Sequence, residues 1–182
     1  MNDSTRPAVR AEPVEALRPA QGERVFSLPI RVYWEDTDAG GIVFYANYLK
    51  FFERARTEWL RSLGIGQQAL REQTGGMFVV SETAVKYHRP ARLDDELLVT
   101  ARLQENGKAS LTIAQQAFLL PPNLSAAGPP QGAKAPTGGS AARVAASVGA
   151  LLLCEGSIRI GWVSAASMKP ERIPSTVLEA VQ

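Results

Sequence analysis

Three carboxylates crowd one short stretch of this chain: Glu35, Asp36 and Asp38, followed directly by Gly40-Gly41 and the apolar run Ile42-Val43-Phe44. A carboxylate can act as a nucleophile, or as a base that takes a proton from water. Glycine lets a backbone or ligand approach closely, and an apolar wall beside an acid suits a substrate groove. From about Tyr45 the pattern turns helical. The N–H groups at a helix start carry partial positive charge and can hold the oxyanion that develops when a carbonyl is attacked. Acid and electrophile are thus adjacent, an arrangement capable of acyl transfer without Ser, His or metal. A plainer reading competes, with Asp36 and Asp38 as turn residues and Asn47 as a helix cap. Yet a cap needs one short polar residue, and this stretch spends two aspartates and two glycines before its apolar run.

Other reactive groups are few. The one histidine, His88, excludes paired-His zinc motifs, and with one cysteine, Cys154, no tetrahedral zinc site can be assembled from this chain alone. His88 could serve as a lone base, but Tyr87, Arg89 and Pro90 around it suggest a strand end, where a surface or packing role is the simpler reading. Cys154 follows Leu151-Leu152-Leu153 and reads as core filling; with no internal disulfide to form, a reducing compartment fits best. Glu53, Arg54 and Arg56 fall at helical spacing, where ion pairing on the helix surface is expected.

The acid must be held by its flanking elements. Residues 25–34 alternate as a strand, with Ile30, Val32 and Trp34 on one face. Residues 45–63 then carry Tyr48, Phe51, Phe52, Ala55, Trp59 and Leu63 on one broad apolar side, with Lys50, Arg54, Glu58 and Arg61 opposite, and Gly64 as a stop. Four further strand-like segments follow, at 77–87, 96–105, 109–119 and 144–163. A helix this aromatic must be covered, and the available partner is a curved antiparallel sheet, giving an α+β fold. The 182 residues are 45% hydrophobic and 21% charged, and twenty Lys plus Arg nearly balance eighteen Asp plus Glu. Nucleic acid and anionic membrane are therefore not expected partners. Residues 1–24 read as a flexible tail, and 121–143, with five Pro and four Gly, as an insert within a single domain at 25–182. No signal peptide is visible, and the longest apolar stretch, 144–154, is about half the length a bilayer span requires. A cytoplasmic protein, at most peripheral to the inner membrane, is the expectation.

The segment Asp36-Thr-Asp-Ala-Gly-Gly-Ile-Val-Phe-Tyr-Ala-Asn-Tyr-Leu-Lys-Phe-Phe-Glu-Arg-Ala-Arg56 closely resembles the signature of the 4-hydroxybenzoyl-CoA thioesterase family, in particular its YbgC-like members linked to the Tol-Pal system. The likeness extends through Tyr87-His-Arg-Pro-Ala-Arg-Leu-Asp-Asp95 and Met168-Lys-Pro-Glu-Arg-Ile-Pro174. It implies a hotdog fold, a five-stranded antiparallel sheet around one long helix, with dimers sharing a continuous sheet and commonly tetramers. It also implies hydrolysis of acyl-CoA thioesters with no cofactor, CoA being part of the substrate, or of the same thioester on acyl carrier protein. The family's catalytic carboxylate falls on Asp38, and its oxyanion donor, a backbone N–H, on Tyr45. Many YbgC-like members carry His at Tyr45, so a backbone donor is the part of the mechanism that survives here. Lys108 and Ser110 resemble family positions near the CoA phosphates, although a solvated hairpin turn would use the same residues. Two rivals remain. A hotdog dehydratase would pair Asp with a catalytic His, which here lies about fifty residues beyond the motif; a non-catalytic acyl-CoA or acyl-carrier-protein binding module beside the Tol-Pal machinery would keep the fold.

Overall fold

The computed structural model of the chain describes residues 25–121 and 149–182. The expected tail at 1–24, the expected insert apart from Pro121, and positions 144–148 of the last expected strand lie outside the described residues. Five strands, β1 (Phe26–Arg31), β2 (Gly76–Tyr87), β3 (Glu96–Asn106), β4 (Ser110–Leu119) and β5 (Leu151–Ser164), make one antiparallel sheet in the order β1-β3-β4-β5-β2. Helix α1 (Asn47–Ser62) packs on the sheet, and two short helices, α2 (Gln67–Thr74) and α3 (Ser175–Val181), were not anticipated. This is the expected α+β hotdog architecture.

Alternation explains which side of each strand is dry. Leu97, Val99 and Ala101 of β3, Leu111, Ile113 and Ala117 of β4, and Ile158, Ile160 and Trp162 of β5 join one core with Tyr48, Phe51, Phe52, Ala55, Trp59 and Leu60 of α1. Each large side chain so buried contributes roughly 1.5–3 kcal/mol. Close approach of α1 to the sheet needs bare backbone at Gly156, where a Cβ would lie 3.0 Å from the Ala84 carbonyl oxygen and 3.1 Å from the Phe52 ring. At its far end α1 stops as expected, with Gly64 at φ +81° and the Ile65 N–H closing onto the Leu60 carbonyl at 2.9 Å.

Two expectations are corrected. Trp34 does not share the face of Ile30 and Val32; it is 79% exposed. The strand ends at Arg31, and residues Trp34–Asp36 wind into a 3-10 turn because the Asp36 carboxylate takes the Tyr33 N–H at 3.0 Å. Arg56 does not pair on the helix surface either. It reaches toward β4 and donates to the Gln115 side-chain oxygen at 2.7 Å, while Gln115 Nε2 donates to the Phe52 carbonyl at 2.9 Å. Burial lowers the Arg56 pKa below its ordinary value, against the opposing charge of Glu53, which itself accepts the Thr57 hydroxyl. No helix among the described residues is long and apolar enough to cross a membrane.

Candidate active site

Between β1 and α1 the chain makes a small hairpin. Thr37 and Val43 bridge antiparallel, the Asp38 N–H donates to the Ile42 carbonyl and the Gly41 N–H to the Asp38 carbonyl, both at 2.9 Å. The reversal needs Gly41 at φ +69°, a region that residues with a Cβ avoid. Its second arm is tied to the β2–β3 connection through an Ile42–Arg92 bridge and a Val43 N–H to Ala91 carbonyl bond of 2.9 Å.

The two aspartates separate within this hairpin. Asp36 is 2% exposed, and its carbonyl accepts both the Phe44 N–H and the Asn47 side-chain amide at 2.9 Å. It is a knot holding the 3-10 turn to the helix start. Asn47 is therefore no cap; it is the first residue of α1, and its amide reaches back to Asp36. Asp38 is exposed on the single chain. One of its oxygens accepts the Gly40 N–H at 2.8 Å, and the other has no partner among the described residues.

The turn entering α1 is held by its carbonyls. The Phe44 carbonyl accepts the Asn47 N–H at 2.8 Å, and the Tyr45 carbonyl accepts the Tyr87 hydroxyl at 3.0 Å. In a trans peptide the N–H points opposite to the C=O, so these bonds turn the Tyr45 N–H away from Asn47 and the Ala46 N–H away from Tyr87. Neither N–H has an acceptor among the described residues. Ile42, which faces Asp38 across the hairpin, lies three positions before Tyr45, a reach of about 10 Å at most. Asp38 and these amide donors thus belong to one connection, that between β1 and α1.

Aromatic rings frame it. Tyr45 is 63% exposed and packs on Phe44 at 4.6 Å and edge-on to Tyr87 at 6.3 Å between ring centroids. Beneath them Tyr48 is buried, its hydroxyl accepting the Ala91 N–H at 3.0 Å and its pKa pushed up to about 12 by burial. The expected apolar wall divides: Val43 enters the core, while Phe44 stays exposed beside the Tyr45 ring. Tyr87 is the residue that sequence reasoning passed over, since its only signal was a place in the Tyr-His-Arg-Pro motif.

Lys108 and Ser110 are not brought to this patch. They sit in the β3–β4 turn, beyond the far end of an 11-residue strand whose first residue follows the Asp38 end of the sheet, roughly 30 Å away at strand rise. There the Lys108 carbonyl accepts the Ile173 N–H at 2.9 Å and Ser110 Oγ accepts Arg159 Nη2 at 3.3 Å. His88 follows the end of β2 as expected and pairs with Glu155 at 2.9 Å. Cys154 is buried in the core, which pushes its thiol pKa up to about 12, the opposite of what a thiolate nucleophile needs.

Residues 40–126 match the family model of the thioesterase superfamily. The acyl-CoA thioesterase YbgC of Haemophilus influenzae is 50% identical over 91 residues, which are 50% of this chain and 67% of that protein. The acyl-CoA thioester hydrolase YbgC of Escherichia coli is 47% identical over 92 residues, 50% of this chain and 68% of that one. Among solved structures, a 1,4-dihydroxy-2-naphthoyl-CoA thioesterase from Synechocystis shares the fold with a TM-score of 0.64 at 17% identity, over 86% of this chain and 95% of its own. Since identity of this level spans two thirds of the relatives, the chain belongs to the thioesterase superfamily, in the family of the YbgC thioesterases.

Proposed function

We propose that the chain is an acyl-CoA thioesterase that hydrolyses its substrate to free acid and CoA, with Asp38 as the attacking or proton-accepting carboxylate and the Tyr45 N–H as the oxyanion donor. What supports this is that a carboxylate oxygen without a partner and amide donors without an acceptor, both among the described residues, occur within the one connection that leads into α1. In one course Asp38 takes a proton from water, and the resulting hydroxide adds to the thioester carbonyl. In the other Asp38 adds directly, expels CoA thiolate as an anhydride forms, and water then opens the anhydride. Either way the carbonyl oxygen gains charge that the Tyr45 N–H stabilises, and the thiolate leaves without a strong acid because a thiol pKa is about 8.5.

The distance to Lys108 and Ser110 supports a site shared by two copies. β2 is an edge strand whose first residue, Gly76, pairs with Ser164 and whose last, Tyr87, lies beside Tyr45. Antiparallel pairing of two β2 edges sets the start of one strand beside the end of the other. The β3–β4 turn of one protomer then comes to the same side as Asp38 and Tyr45 of its partner. A CoA lying along that seam would meet Lys108 and Ser110, with Arg159, at its phosphates. A homodimer, or a tetramer of two such pairs, is thus the proposed assembly, in the cytoplasm where CoA thioesters are made and used; CoA is the proposed carrier and acyl carrier protein the alternative.

The test is a thiol-release assay of the purified chain across short, long and aromatic acyl-CoAs. Catalysed release from at least one class is the expected result. Tight acyl-CoA binding with no thiol released would favour the non-catalytic binding module instead.

A further inference from the structure

The Tyr87 hydroxyl, at the last residue of β2, donates 3.0 Å to the Tyr45 carbonyl. It lies 42 positions along the chain and on a different element, so this bond is a tertiary tie on the entrance turn of α1. That carbonyl belongs to the Tyr45–Ala46 peptide, and planarity points the Ala46 N–H directly away from Tyr87. Just before it, the Phe44–Tyr45 peptide is held by the Asn47 N–H. Drawing electron density toward a hydrogen-bonded carbonyl also makes the N–H of the same peptide a better donor. The Tyr87 ring is wedged edge-on against Tyr45 and Tyr48, at 6.3 and 5.7 Å, which fixes the hydroxyl over its acceptor. Burial raises the phenol above its ordinary pKa, so it remains a neutral donor through the physiological range.

We propose that Tyr87 is a positioning residue for thioester hydrolysis: by holding the Tyr45 carbonyl it keeps the Tyr45–Ala46 peptide turned so that the Ala46 N–H, next to that of Tyr45, faces the developing oxyanion. This rests on the reading of the Tyr45 turn as the oxyanion site. The Tyr45 amide needs no side chain of its own for this role, and the hydroxyl that aims its neighbour arrives from the sheet.

Tyr87→Phe removes only the hydroxyl and keeps the ring packing. With the full-length protein and an acyl-CoA substrate, kcat is expected to fall roughly 3- to 30-fold with KM within about 2-fold, less than the loss of a direct oxyanion donor. Two CoA ligands provide the readout that a packing role would not move. Affinity for a non-hydrolysable acyl-CoA thioether should stay unchanged, while affinity for a CoA fluoroketone, which mimics the oxyanion, should fall by the same factor as kcat. Unchanged kcat and fluoroketone affinity would overturn the inference. So would equal weakening of both ligands with an early melting transition, the behaviour of a residue that merely packs. Asp38→Asn measured alongside separates the two levels: an active Asp38→Asn enzyme rejects the underlying site, whereas an inactive one beside a normal Tyr87→Phe rejects only the role of Tyr87.

Discussion

Asp36 and Asp38 stand two positions apart and are used in opposite ways. The first is buried and spends its carboxylate on the Tyr33 N–H; the second is exposed, with one oxygen pinned by Gly40 and one left over. Asp36→Ala removes the acceptor of the part-buried Tyr33 amide, so we expect urea unfolding to show a loss of about 1 kcal/mol. An unchanged midpoint would mean the knot is held by the Asp36 carbonyl alone. The sequence could show that this acidic, glycine-containing turn was unusual, because two carboxylates exceed what a cap requires. It could not tell which of them was buried, since that depends on a 3-10 turn formed after the strand alternation stops. Tyr87 was beyond reach for a similar reason: a phenol at a strand end has no local pattern that announces a bond to a carbonyl 42 positions earlier.

At the scale of elements, α1 and the strands were legible because their apolar residues recur at 3.6 and 2 positions, and burial follows that recurrence in Tyr48, Phe51, Phe52, Ala55 and Trp59 and in Leu97, Val99 and Ala101. The helices α2 and α3 were missed because each is under nine residues, and α2 buries no side chain. Arg56 was misplaced because helical spacing offers Glu53 as a partner, whereas the sheet offers Gln115 in a site shielded from water. The close seat of α1 on β5 depends on Gly156. Gly156→Ala inserts a methyl against the Ala84 carbonyl and the Phe52 ring, and a loss of roughly 1–3 kcal/mol in thermal or urea unfolding is expected. A neutral effect would show that helix and sheet can part by a few tenths of an ångström without cost.

For the whole molecule, one chain holds the proposed reacting groups at one end of the sheet and the proposed phosphate contacts at the other. The proposed function then calls for a second copy, with the exposed β2 edge, including Val80 at 55% exposure, as the proposed seam. Val80→Lys, which sets like charges against each other across a two-fold axis, should shift the sedimenting species toward monomer and lower thioesterase activity in step. A fully active monomer would remove the shared-site proposal while leaving Asp38 untouched. The most direct measurement of the central claim is steady-state CoA thiol release by Asp38→Asn beside the unaltered protein, with melting curves to confirm that both are folded. Turnover is expected to fall by roughly 100-fold or more at an unchanged melting temperature; near-normal turnover by the folded variant would contradict the assignment of Asp38.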